Sequence, residues 1–234
     1  MNQTTHNKLV NFIWSIADDC LRDVYVRGKY RDVILPMVVL RRLDALLEPT
    51  KEKVLEEVRF QKEEVGLTEL DPNGLKDASG YVFYNTSKWT LQKLYDTATN
   101  SMQLLEANFI DYLNGFSPNV QEIIEKFNLK AQIHKMAQKN ILLLVLEKFT
   151  SPYINLANQE KIDPDGKKLP PLTNLGMGYV FEELIRRFNE ENNEEAGEHF
   201  TPREVIKLMT HIVFEPIKDK LPPVMKIYDP ACGS

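Results

Sequence analysis

Two short stretches near the end of the sequence combine residue types suited to holding a small ligand. The first is Gly197-Glu198-His199-Phe200-Thr201-Pro202-Arg203-Glu204. Thr201 is a helix-capping type, Pro202 suits the first helical position, and Glu204 completes a Thr-x-x-Glu capping box. A helix start also turns free backbone amides outward, which favours an anionic group. Capping alone explains Thr201, Pro202 and Glu204 without a ligand. It does not explain Gly197 or the adjacent rings of His199 and Phe200. The second stretch, Asp229-Pro230-Ala231-Cys232-Gly233-Ser234, follows the run Val224-Met225-Lys226-Ile227-Tyr228. Such a run, broken at Asp-Pro and entering a Gly/Ser turn, reads as a strand delivering a tight loop. Open α/β sheets bind ligands at the carboxyl ends of their strands, and Ala231, Gly233 and Ser234 are small enough to let backbone come close. Cys232 fills a small-residue slot, and nothing around it favours a thiolate.

The elements that must position these stretches are helical. Val205 to Phe214 is amphipathic, and so is the segment carrying Leu175, Tyr179, Val180, Leu184, Ile185 and Phe188. Asn189 to Glu195 is polar and acidic and reads as a loop. The run Asp163-Pro164-Asp165-Gly166-Lys167-Lys168-Leu169-Pro170-Pro171 is the strongest break in the chain. Before it, Leu9, Val10, Phe12, Ile13, Ile16 and Ala17 recur at helical spacing, with Thr4 or Thr5 as N-cap. A second helix is expected from Tyr30 to Glu48, apolar around most of its circumference and therefore central, with Pro36 inside it. Thr50 is expected to cap a charged helix reaching Glu64. Gly66 to Gly80 carries a loop composition, and Tyr81-Val82-Phe83-Tyr84 reads as a short strand. Thr86 or Ser87 should cap a helix with Trp89, Leu91 and Leu94, and further helices run on to Phe149.

Bulk properties exclude several classes. A composition 43% hydrophobic and 27% charged is that of a globular chain rather than a disordered one. The longest apolar run, Ile141 to Leu146, is far short of a membrane span, which excludes a helical membrane anchor. Met1 to His6 resembles no secretion signal, and two cysteines so far apart as Cys20 and Cys232 suggest a reducing, cytoplasmic setting. The net charge of −5 gives no global pull toward phosphate. Locally, however, Arg22, Arg27, Lys29, Arg31, Arg41 and Arg42 outnumber Asp23 and Asp32, and Arg27, Lys29 and Arg31 are candidates for DNA contact. A solvated or salt-bridged helix face is the competing account. Gly176-Met177-Gly178 lacks the third glycine and preceding strand of a dinucleotide loop and belongs to a helix start. His6, His134, His199 and His211 show no zinc-binding spacing, so no metal is assigned.

Gly-Glu-His-Phe-Thr-Pro-Arg resembles the motif found in the modification (M, HsdM-like) subunits of type I restriction-modification systems. Asp-Pro-Ala-Cys-Gly-Ser is similar to the first S-adenosylmethionine motif of amino-group DNA methyltransferases, where another glycine normally follows. The order and spacing match, and the preceding chain resembles the helical N-terminal domain of those subunits. The resemblance implies a mainly α fold: an all-helical N-terminal domain with one minor strand element over residues 1–160. Residues 161–234 would then be the start of a Rossmann-like N6-adenine DNA methyltransferase domain. It further implies that Glu198, His199, Phe200, Thr201, Pro202 and Arg203 close over the methionine end of S-adenosylmethionine. Asp229, Pro230, Ala231, Cys232, Gly233 and Ser234 would line the same cofactor. The implied parent methylates adenine N6 in DNA together with a specificity subunit and a restriction subunit.

Adenine methylation needs a flipped base, acceptors for its amine and a ring to stack on it. The family uses an Asn/Asp-Pro-Pro-Tyr/Phe tetrapeptide for this. Here the Pro-Pro pairs read Leu169-Pro170-Pro171-Leu172 and Leu221-Pro222-Pro223-Val224, which offer neither amide nor ring. No catalytic residue is therefore assigned. The chain is expected to be the N-terminal part of such a subunit, cut within its first cofactor motif, inactive alone and weak or silent toward the cofactor. The alternative is a non-catalytic helical module that binds DNA or a partner protein.

Overall fold

The computed structural model describes residues 3–99, 101–191, 201, 203–222 and 225–230. Its centre is the helix Arg31–Leu47, α2, on which Val33, Ile34, Met37 and Val38 are wholly enclosed. Pro36 removes one hydrogen bond near the start of α2, and the helix continues past it. Against α2 pack α1 (Gln3–Cys20), α8 (Leu129–Gln138), α9 (Leu142–Phe149) and α10 (Asn174–Glu191). The helices α5 (Leu91–Asp96), α6 (Met102–Asn114) and α7 (Pro118–Lys126) close the other side. Phe109, Tyr112 and Leu113 carry α6 into the same core. Each enclosed Leu, Ile or Val adds roughly 1.5–3 kcal/mol relative to exposure, so the core is held by its apolar faces rather than by helix propensity.

A smaller pair stands beside this core. The helices α3 (Lys51–Arg59) and α4 (Pro72–Ser79) enclose Val54, Leu75 and Tyr84. The sequence reading expected a loop from Gly66 to Gly80, and the structure corrects it. Asp71 caps α4 by accepting from the N–H groups of Asn73 and Gly74, Pro72 takes the first position, and Gly80 ends the helix at φ 75°. The breakers are thus start and stop signals of one short helix.

Other expectations also change. The helix α1 already runs at Gln3, so neither Thr4 nor Thr5 is its N-cap. Thr50 makes no capping bond; its hydroxyl lies 3.0 Å from the Ser79 carbonyl. Thr90, not Thr86 or Ser87, caps α5 by accepting from Lys93 N–H. Tyr81 to Tyr84 is not a strand, because no strand edge lies beside it. Its end is held instead by Ser117 N–H on the Tyr84 carbonyl at 3.1 Å and by an isolated bridge between Asn85 and Phe116. The strand element is a hairpin further on, β1 (Lys161–Ile162) against β2 (Lys168–Leu169), inside the segment read as a break. Gly166, at φ 78°, makes its turn. Polar residues at the end of α10 are helical through Glu191, with Asn189 buried rather than in a loop.

After the hairpin, α10 returns to the main core through Val180, Leu184 and Phe188. Gly176, Met177 and Gly178 lie in its first turns, and the Thr173 hydroxyl accepts from Gly176 N–H at 3.0 Å. Among the described residues no helix is long and apolar enough to cross a membrane.

Candidate functional site

The helix α11, Arg203–Phe214, opens two residues after Thr201 and carries Glu204 in its first turn. Thr201 is exposed. Glu198, His199, Phe200 and Pro202 lie outside the described residues, and Arg203 enters only as the first residue of α11. The apolar stripe that makes α11 amphipathic faces outward: Val205, Ile206, Leu208, Met209, Ile212 and Val213 are all exposed. Of the second motif, Asp229 and Pro230 are described and exposed, while Ala231, Cys232, Gly233 and Ser234 are outside the described residues. Met225 to Asp229 has no β pairing, which corrects the expected strand over Val224–Tyr228. A strand requires a neighbour to take its backbone bonds, and among the described residues this segment has none.

In chemical terms, the first turn of α11 offers amides to an anion, as a carboxylate-bearing ligand would use them. Glu204 in that same turn already supplies a negative charge to the helix start. The described donors therefore fit the carboxylate of such a ligand in kind; Thr201 and Asp229 are both open to solvent.

The basic window divides in two. Arg41 Nε donates to the Phe149 carbonyl at 3.0 Å, and Arg42 Nη2 donates to Asn174 Oδ1 at 2.9 Å with a second bond to the Leu156 carbonyl. Both guanidinium groups are buried struts between helices, unable to meet a phosphate. Arg27 and Lys29 are exposed, yet each has a carboxylate: Glu191 at 3.3 Å and Asp32 at 3.4 Å. Arg31 is half-buried and also engaged.

Sequence reasoning missed the strongest electrostatic feature, a buried network on α2. Asp44 Oδ1 accepts from the Tyr112 hydroxyl at 2.8 Å and from Leu91 N–H at 3.2 Å, while Oδ2 accepts from Arg41 Nη1 at 3.2 Å. Burial raises the Asp44 carboxyl above its ordinary value, and Arg41 opposes the shift. The Tyr112 hydroxyl is held well above its usual range by burial and by Asp44. Nearby, the Lys51 ammonium donates to Asn85 Oδ1 at 3.0 Å, and burial lowers its pKa to about 8. Perturbed groups in a cleft suggest chemistry, but these are enclosed and satisfied, so their work is structural. The available signal was an Arg-x-x-Asp pair on an otherwise apolar helix face. Burial also pushes the Cys20 thiol up to about 11, which makes it inert as a nucleophile. Among the described residues no cluster could hold a metal ion.

Comparison with known families gives this arrangement its context. The profile of the HsdM N-terminal domain matches residues 9–149, from the first half of α1 to the last residue of α9. The profile of the N-6 DNA methylase family matches residues 174–234, from the first residue of α10 through both ligand motifs. No curated protein and no solved structure matches the chain. The first profile covers more than half of the sequence, and it coincides with the helices packed about α2. The chain therefore belongs to the HsdM N-terminal domain family, and behind that domain it carries the start of an N6-adenine DNA methyltransferase domain, the order of a type I modification subunit.

Proposed function

We propose that the protein serves an adenine-specific DNA methyltransferase, as the part of its modification subunit that presents the methionine side of S-adenosylmethionine. The observation that carries this reading is the N-6 DNA methylase match, which spans both motifs. In this reading Glu198, His199, Phe200, Thr201, Pro202 and Arg203 bind the cofactor's methionine end, with amides at the start of α11 facing its carboxylate. Asp229 takes the cofactor's amino group, and Pro230, Ala231, Cys232, Gly233 and Ser234 bring backbone close to it. When bound, S-adenosylmethionine supplies an electrophilic methyl group for adenine N6. Residues 1–160 act as the helical domain and residues 161–234 as the opening of the methyltransferase domain. Arg27, Lys29 and Arg31 exchange their carboxylate partners for DNA phosphates, beside a specificity subunit and a restriction subunit in the cytoplasm.

The test is methyl transfer by the modification subunit containing this chain, purified with its specificity subunit and given tritiated cofactor and DNA. N6-methyladenine should form, and Asp229→Ala should reduce it at least tenfold. An assembled complex that transfers no methyl group removes the reading and leaves a helical binding module.

A further inference from the structure

Two surface features far apart in sequence have opposite charge and matching shape. The first is the tip joining α3 to α4. A single π-helical turn, Phe60–Glu64, leads into it. Val65 N–H donates to the Phe60 carbonyl at 3.1 Å and Leu67 N–H to the Gln61 carbonyl at 2.9 Å. The tip is braced from within: Gln61, itself buried, accepts from Asp71 N–H at 2.7 Å and donates to Glu57 Oε1 at 2.7 Å. Gly74 is required there, since a Cβ would come within 2.6 Å of Glu57 Oε1. On this fixed frame Phe60, Val65 and Leu67 are exposed. Scattered exposed apolar residues are ordinary, but three on one braced turn form an epitope whose ordering cost has already been met. Glu63, Glu64 and Glu69 surround it without ion-pair partners among the described residues.

The second feature is a half-open cavity of about 150 Å³ between α1 and the hairpin, lined by Leu9, Phe12, Tyr153, Ile154, Leu169 and Pro170. Asn155 also lines it, but its amide is fully engaged with the carbonyls of Gln159, Leu169 and Pro170. The floor is therefore apolar, and a dry cavity of roughly this volume accepts a benzene-sized ring. Lys8 lies on its lining and Lys167 beside it on the hairpin, and neither has an ion-pair partner among the described residues.

We propose that these surfaces are complementary halves of one contact: the Phe60 tip of one copy inserts into the α1–hairpin cavity of a second copy, with Glu63 and Glu64 meeting Lys8 and Lys167. The apolar ring supplies burial and the four charges supply orientation. An acidic tip of this kind repels DNA, which leaves protein as its partner.

The experiment is sedimentation of the chain over a range of concentrations, with thermal melting to confirm folding of each variant. The wild-type chain should self-associate. Phe60→Ser should weaken that association at least tenfold, as should Glu63→Lys with Glu64→Lys, or Lys8→Glu with Lys167→Glu. A mixture of the two charge-reversed proteins should associate again, because the reversed tip then meets the reversed cavity. Leu208→Ser with Ile212→Ser, on the exposed face of α11, controls for association through that helix. A wild-type chain that stays monomeric would overturn the proposal. So would association indifferent to Phe60, association abolished only by the α11 variant, or a mixture that fails to associate.

Discussion

Replacing Asp44 with alanine is the sharpest perturbation the fold allows. The carboxylate is enclosed and serves three donors on three different elements: Arg41 on α2, the Tyr112 hydroxyl on α6 and Leu91 N–H at the start of α5. Its removal strands the buried Arg41 guanidinium, whose remaining bond is to the Phe149 carbonyl. Breaking a buried ion pair by deleting one partner costs about 3–5 kcal/mol. Leaving the Tyr112 hydroxyl and Leu91 N–H without acceptors adds to that, at about 1–3 kcal/mol per group. A loss of about 4–6 kcal/mol follows, against a total of roughly 5–15 kcal/mol for a domain. The variant should be largely unfolded or should unfold at much lower urea, read by far-UV circular dichroism. Tyr112→Phe, which removes one donor but keeps the ring, should cost only about 1 kcal/mol. Changing both ionic partners to apolar residues, Arg41→Met with Asp44→Leu, should cost less than Asp44→Ala alone, because no charge is then left buried. A loss below about 1 kcal/mol for Asp44→Ala would refute the reasoning, showing that the network is not what joins α2, α5 and α6.

Lys51 gives a pH signature. Its folded pKa, about 8, lies below the model value of 10.5, so between those values the unfolded chain binds more protons and stability contributed by this group rises with pH. The wild type should gain on the order of 2–3 kcal/mol relative to Lys51→Met from pH 8 to 10.5 in urea titrations, and parallel curves would refute it. Leu40 is buried, whereas Leu43 is only partly so, so Leu40→Ala should cost about 2–5 kcal/mol and Leu43→Ala clearly less. In the assembled enzyme, removing Arg27 and Lys29 together should weaken DNA binding for all sequences alike and lower the log–log salt slope by about one to two units. An unchanged slope would leave both residues to Glu191 and Asp32. Calorimetric titration of this chain with S-adenosylmethionine should show dissociation no tighter than the high micromolar range, because Thr201 and Asp229 are exposed and pockets normally enclose their ligand.

The parts of the fold that sequence reading placed are those with long apolar periodicity. Helix α2 was expected from Tyr30 to Glu48 and runs Arg31–Leu47, and α10 and α11 were likewise visible from their spacing. The failures concentrate where one residue type supports two outcomes. Asp71-Pro72 and Gly80 signal a turn as readily as they start and stop α4. Tyr81 to Tyr84 has strand composition, but pairing depends on a neighbour that composition does not report. In the basic window, charge density at Arg41 and Arg42 suggested solvent, and only the packing of α9 and α10 turns both inward. The ligand motifs were legible because their residues are short-range signals. Their assembly into a pocket is long-range, and for Thr201 and Asp229 the structure adds exposure rather than contact.

The two family matches meet at α10, and packing there does not follow the sequence division. The N-6 DNA methylase match begins at Asn174, the first residue of α10. Yet Val180, Leu184 and Phe188 are enclosed in the same core as α1 and α2, with the Phe188 ring 4.7 Å from that of Trp14. Arg42 ties the start of α10 to α2, and Arg27 ties its end to the turn before α2. Exposing those three apolar side chains would cost roughly 1.5–3 kcal/mol each. Any swing of the helical domain relative to the ligand motifs must therefore hinge after Glu191 rather than at the β1–β2 hairpin. The long apolar helix α2, readable from sequence, thus acts on the ligand motifs through α10, whose last residues lead directly into the Gly-Glu-His-Phe-Thr-Pro stretch.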